Sequence, residues 1–204
     1  MPVATPTHTP LGRGFDTCLC YFHHGNSYWD QGTGDLTCPV GIDLWDGQEG
    51  AAHSLWSPVA NDNGMKNGST YEEKLFRDRF MHIVAQHDPV AAPLFLYYAP
   101  HLVPDPLMVP QEYLDMMSIA GGGPFDNESD TSSHLAERMT YHAMVKALDD
   151  QIGNLTAAVK AKNGMWEQTL LWCEWPVVPP RDFFFVCTVR LSAWGRSCCR
   201  CSFL

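Results

Sequence analysis

Long apolar runs are missing from this chain. No stretch reaches the roughly 18 consecutive apolar residues that a membrane-crossing helix needs, so no membrane span is expected. The opening residues, MPVATPTHTPLGRG, lack the apolar segment of a secretory leader, so no signal peptide is expected and localisation stays unassigned. Basic charge is scarce. Lysine and arginine number 13 against 23 acidic residues, a net charge of -10 with no basic stripe, which argues against nucleic acid as a partner. No CxxC pair stands in the first 171 residues: Cys18 and Cys20 are spaced CxC and Cys38 stands alone, which argues against a structural zinc site. A disulfide involving Cys38 stays open, with no partner assigned.

What is present points to one packed core. The 204 residues are 45% hydrophobic and 18% charged, enough for a single globular unit. The stretch PLFLYYAPHLVPDPLMVP, residues 93–110, organises the rest. Its first seven residues form a nearly continuous apolar run, read as a strand buried on both faces. Pro100 ends the ladder because it has no N–H to donate, and His101 follows at once. Ligands of open α/β sheets bind beyond the carboxyl ends of the strands. A histidine there can donate a hydrogen bond to an anion or protonate a leaving group near neutral pH. It can equally be a satisfied loop histidine.

Two helices are expected around that strand. Thr70-Tyr-Glu-Glu73 spells a capping box, with Leu75, Phe76, Phe80, Ile83, Val84 and His87 recurring behind it until Asp88-Pro89. Helix, short loop and buried strand make half of a βαβ unit. Ser132 or Ser133 opens a longer helix with Tyr141, Val145, Leu148, Ile152, Leu155 and Val159 on its predicted apolar face, stopped by Asn163-Gly164. Thr169-Leu-Leu begins a second buried strand.

Other features carry weaker signals. His23-His24 reads as a metal pair only if adjacent side chains share a face, which a strand forbids. Sequons occur at Asn67, Asn127 and Asn154, the last within a predicted helix; they matter only in a secreted chain. From Trp172 onward four arginines stand against Glu174 and Asp182. That local net of +2, against -10 for the whole, leaves -12 on the first 171 residues. Five of the eight cysteines fall in the same tail, which lacks any period. Residues 172–204 are therefore expected to be an unrelated tail, disordered or translated out of frame. The spacing of Cys198, Cys199 and Cys201 fits no zinc finger.

Gly12-Arg-Gly-Phe15, the run from Tyr21 to Trp29, Gly41-Ile-Asp-Leu-Trp45, Pro93 to His101, Tyr141 to Gly153 and Gly164 to Leu171 occur in an order that resembles the sulfatase family, in particular the arylsulfatase B (N-acetylgalactosamine-4-sulfatase) type. The resemblance covers about 165 residues, from near Thr5 to Leu171. It implies an α/β fold of the alkaline-phosphatase-like kind, a mixed sheet flanked by helices, here as an interior fragment incomplete at both ends. It also implies sulfuric ester hydrolysis of sulfated glycans or aryl sulfates, calcium as cofactor, and a secreted or lysosomal parent. Of the family's chemical groups only the sulfate-contacting histidine has a counterpart, His101. The formylglycine motif C-x-P-x-R is absent, since Cys38-Pro-Val-Gly-Ile42 has its proline one place early and no arginine. The family's Gly-Lys-Trp segment would lie just upstream of Met1. Where the second calcium pair, Asp-Asn-Gly, should follow Thr169-Leu-Leu171, the chain reads Trp-Cys-Glu; Asp62-Asn63-Gly64 spells those letters in the wrong place. The expected activity is accordingly none, and calcium is not expected to bind. The alternatives are a non-catalytic binder of sulfated glycans, or a gene-model artefact without independent function.

Overall fold

The computed structural model describes residues 5–22, 26–29, 31, 43–48, 57–58, 71–103, 105–119, 132–174, 186–191 and 200–203. Among the described residues, seven strands form one mixed sheet: β1 (Thr17–Cys20), β2 (Trp45–Gln48), β3 (Ser57–Pro58), β4 (Leu94–Tyr98), β5 (Thr169–Glu174), β6 (Val186–Leu191) and β7 (Arg200–Phe203). Their order across the sheet is β3-β2-β1-β7-β4-β6-β5. Strands β1 and β4 both run parallel to β7, and β6 lies antiparallel between β4 and β5. The mixed helix-and-strand composition agrees with the α/β class.

Strand β4 is interior, with β7 on one side and β6 on the other. Leu94, Leu96 and Tyr98 are buried while Phe95 and Tyr97 are half-buried. One face is therefore sealed more completely than the other. The sealed face meets α1 (Glu72–Gln86) and α3 (Ser132–Ala161) through a core of Phe76, Phe80, Val84, Leu155 and Val159. Phe80 sets its ring edge-on to Tyr98, and the Tyr98 hydroxyl bonds Gln151 Oε1 at 2.5 Å within this core. Burying each such aliphatic side chain contributes about 1.5–3 kcal/mol. Helix α1 leads into β4 through a short connection, as the half βαβ pattern predicts, while β2 and β3 stand between β1 and α1 in the chain.

The first helix departs from the sequence reading at its start. Its N-cap is Tyr71, which makes no side-chain capping bond, and Glu73 turns inward instead of back to the helix end. The Glu72 N–H is satisfied by the Tyr28 carbonyl at 2.8 Å, and Thr70, the cap of the expected box, lies outside the described residues. The far end agrees: α1 stops at Gln86, and Phe76, Phe80, Val84 and His87 are buried.

Helix α3 buries the predicted stripe at its C-terminal end, Leu155 and Val159, with Leu148 and Ile152 half-buried, but departs from it at its N-terminal end. Tyr141 and Val145 are exposed, at 39% and 43%, whereas Ala143, Met144, Ala147, Gln151, Leu155 and Val159 are buried. Alanines let the helix approach its neighbour closely, and a reading weighted to large apolar residues passes over them. Helix α2 (Gln111–Ile119) packs on α3 and on the extended chain after β4, closing a second core of Tyr28, Tyr71, Leu102, Val103, Val109 and Met144. Gly164 sits past the α3 end at φ 70°, a left-handed conformation that favours glycine there.

The tail beyond Leu171 carries strand backbone that its sequence does not announce. Strand β5 runs on to Glu174, and the segments 186–191 and 200–203 pair within the sheet.

Candidate functional site

The carboxyl end of β4 delivers His101 to a place where three other parts of the chain meet. Pro100 and His101 are both buried, and His101 is only 3% exposed. The imidazole lies under Tyr28, ring centroids 4.2 Å apart and planes 17° from parallel, while Tyr21 leans on it at 4.9 Å. The Tyr28 hydroxyl donates to the His101 carbonyl at 3.0 Å. Tyr71 stacks on the other side of the same aromatic group, 5.7 Å from Tyr28, and its hydroxyl donates to the Met108 carbonyl.

Beneath these rings the start of α1 contributes two carboxyl groups, Glu72 and Glu73, both wholly buried. Glu73 Oε1 accepts the Leu102 N–H at 3.0 Å, so the helix start holds the chain just after His101. Glu72 Oε1 lies 3.6 Å from His101 Nδ1, beyond ordinary hydrogen-bonding range. Both Glu72 oxygens, Glu73 Oε2, His101 Nδ1 and Asn26 Oδ1 are buried without a hydrogen-bond partner. Asn26 spends its amide N–H on the Asp43 carbonyl, and the Asp43 carboxylate accepts from the Phe22 N–H and the Trp45 indole.

Burial dominates the ionisation of this cluster. It pushes Glu72 well above the usual carboxyl range, with the nearby Asn26 amide offsetting part of the effect and Asp43 adding to it. Glu73 is pushed up to about 8, by burial first and by the neighbouring Glu72 second; His101 and the backbone N–H groups oppose. Burial lowers His101 to about 4 against the pull of Glu73, so its imidazole is neutral near pH 7. Tyr21, Tyr28 and Tyr71 are raised by burial and stay protonated. The arrangement can hold and share protons, and offers a neutral imidazole rather than a cation.

Of the sequence-predicted positions, His101 lies where expected, at the end of the interior strand, but under an aromatic cover. Asn154 lies exposed within α3. Asn67, Asn127, Cys38, His23-His24 and Asp62-Asn63-Gly64 fall outside the described residues, as do the side chains of Cys198, Cys199 and Cys201. Cys18 and Cys20 are buried free thiols on β1, and burial raises Cys18 beyond any reactive range. Among the described residues no three His, Cys, Asp or Glu side chains converge so as to hold a metal ion. Sequence reasoning missed Glu72 and Glu73, because acidic residues in the first turn of a helix ordinarily face water. Among the described residues no helix is long and apolar enough to cross a membrane.

Among curated proteins the chain is similar to arylsulfatase J of Mus musculus, 30% identical over 162 residues. That match covers 79% of this chain but only 23% of the mouse protein. No protein-family model matches, and no solved structure matches. The likeness to arylsulfatase J supports a sulfatase-family relationship.

Proposed function

We propose that this chain is an interior stretch of a sulfatase-type catalytic domain of the arylsulfatase B kind, with the alkaline-phosphatase-like fold, and that it contributes the His101 side of a site for sulfate esters. The observation that carries this reading is the 30% identity to an arylsulfatase over 79% of the chain. The substrate class is a sulfated glycan or an aryl sulfate. His101 is the sulfate-contacting residue, and its position beyond the carboxyl end of an interior strand supports that role. Being neutral near pH 7, it would contact the ester as a hydrogen-bond donor rather than as a fixed positive charge. His101 is only 3% exposed, so part of its cover must open for that contact.

Hydrolysis is not expected from these residues by themselves. The 204 residues contain no C-x-P-x-R, and so no precursor of the formylglycine nucleophile that the family uses. Calcium is not expected here either, because the residues after Leu171 read Trp-Cys-Glu and not the Asp-Asn-Gly that supplies the family's second calcium pair. The work left to the chain is recognition of the ester.

Two assays test the reading. Turnover of 4-methylumbelliferyl sulfate is expected to stay at the buffer rate. Calorimetry with a chondroitin 4-sulfate oligosaccharide is expected to give binding that vanishes for its desulfated counterpart and in His101→Ala. Turnover above the buffer rate would remove the recognition-only reading. Equal binding of the desulfated sugar would remove the sulfate site altogether.

A further inference from the structure

The start of α1 and the loop after β4 meet at a cluster of buried polar groups. Five buried polar atoms lie unpartnered in this one region: both oxygens of Glu72, Oε2 of Glu73, Nδ1 of His101 and Oδ1 of Asn26. Four of the five can only accept while the carboxyls are ionised, and the imidazole nitrogen donates only if it carries a proton. The titratable groups facing them come from every element packed around the site. Tyr21 and Cys20 lie at the end of β1, Tyr28 in the loop that follows, Asp43 just before β2, Tyr71 at the α1 cap, and Tyr113 on α2 behind Tyr71. Among the described residues, the groups acting on Glu72 and His101 include no lysine or arginine. Two adjacent carboxylates without a counter-charge are costly to bury, and the least costly remedy is to keep a proton on one or both.

A proton on Glu72 also supplies the donor that the cluster lacks. The 3.6 Å gap from Glu72 Oε1 to His101 Nδ1 is too long for a hydrogen bond between two acceptors, and a closing of a few tenths of an ångström makes it one once Glu72 is protonated. Meanwhile Glu73 Oε1 anchors the Leu102 N–H, and Leu102 and Val103 seal the second core.

We propose that Glu72, Glu73 and His101 form a proton-dependent latch that clamps the chain after β4 onto the start of α1 in mildly acidic medium and releases it as the medium turns alkaline. When the carboxyls ionise, their demand for water is met by lifting residues 101–103, which exposes the His101 imidazole. The direction follows from burial: groups that resist ionisation in the folded chain lend stability below the ordinary carboxyl range and lose it as pH rises. The latch concerns access to His101 and stands whether or not a sulfate ester binds there.

The test follows the full chain from pH 5.5 to 9. Amide exchange at Leu102, corrected for the intrinsic pH dependence of exchange, and diethyl pyrocarbonate labelling of His101 report opening directly. In the wild type the Leu102 protection factor is expected to fall at least roughly tenfold across that range, with His101 labelling rising in parallel. In Glu72→Gln and Glu73→Gln, each of which leaves one carboxyl to ionise, the fall in protection should be clearly smaller than in the wild type. If either variant fails to fold, the wild-type chain decides alone: its Leu102 protection must fall with pH. Constant wild-type protection, or a fall equally steep in both glutamine variants, overturns the latch.

Discussion

Tyr28 closes His101 twice over, once with its ring, stacked 4.2 Å above the imidazole, and once with its hydroxyl, which donates to the His101 carbonyl at 3.0 Å. A residue 73 positions away in sequence therefore packs on and bonds to the end of β4. The same residue gives its backbone carbonyl to Glu72 and packs beside Tyr71, so it ties the loop, the helix start and the strand end into one unit.

The two contributions of Tyr28 can be separated by substitution. Tyr28→Phe keeps the stacking and leaves the His101 carbonyl without its donor, an expected loss of about 1–3 kcal/mol for a buried unpaired group. Tyr28→Ala also removes the ring and should cost about 3–5 kcal/mol. Urea unfolding of the three proteins measures both steps. A Phe variant as stable as the wild type would mean that the carbonyl finds water, and that the hydroxyl is not what holds the loop.

His101 gives the acid side of the pH profile a sign opposite to that of the carboxyls. Its ionisation is lowered from 6.5 to about 4 by burial, so the stability of its neutral form is fully present above about pH 6.5 and lost as pH falls toward 4. Glu73, raised from 4.5 to about 8, acts the other way and loses stability as pH climbs between those values. The comparison that isolates His101 is wild type against His101→Gln. The wild type's advantage should shrink by on the order of 3 kcal/mol as pH drops from 6.5 to 4. Denaturation midpoints at half-unit intervals would show it, and a constant difference would place His101 in a more open setting than its burial implies.

The sheet was partly legible in the sequence, and the site hardly at all. Leu94 to Tyr98 announced itself because an unbroken apolar run bounded by proline has few other uses, and Phe76, Phe80 and Val84 because their spacing fits only one helix face. Both signals are local. The burial of Glu72 and Glu73 is not local: the two residues sit in a first turn where acidic side chains normally stabilise a helix from the solvent side. What draws them inward is contact with Tyr28, Leu102 and His101, each about 30 or more residues distant. The tail strands were illegible for a related reason. Their pairing with β4 and β5 is a matter of register between distant segments, and no period within 186–191 or 200–203 announces it.

Helix α3 offers the sharpest contrast between a pattern read from large side chains and the surface that is buried. Val145 belongs to the predicted stripe yet is 43% exposed, while Ala147, two residues on, is 1% exposed in the core shared with Tyr28 and Leu102. Residues two apart on a helix face different ways, so the N-terminal part of the stripe is not the contact face, although Leu155 and Val159 of the same stripe are buried. Val145→Ser should accordingly shift stability by no more than about 0.5 kcal/mol, as surface changes do. Ala147→Leu should cost about 1–3 kcal/mol, because the added methylenes have no space against the neighbouring elements. Thermal melts of the two variants are enough to decide. If Val145→Ser proved the more damaging change, α3 would be rotated toward its predicted stripe, and the face it presents to Leu102 would no longer support the loop that carries His101.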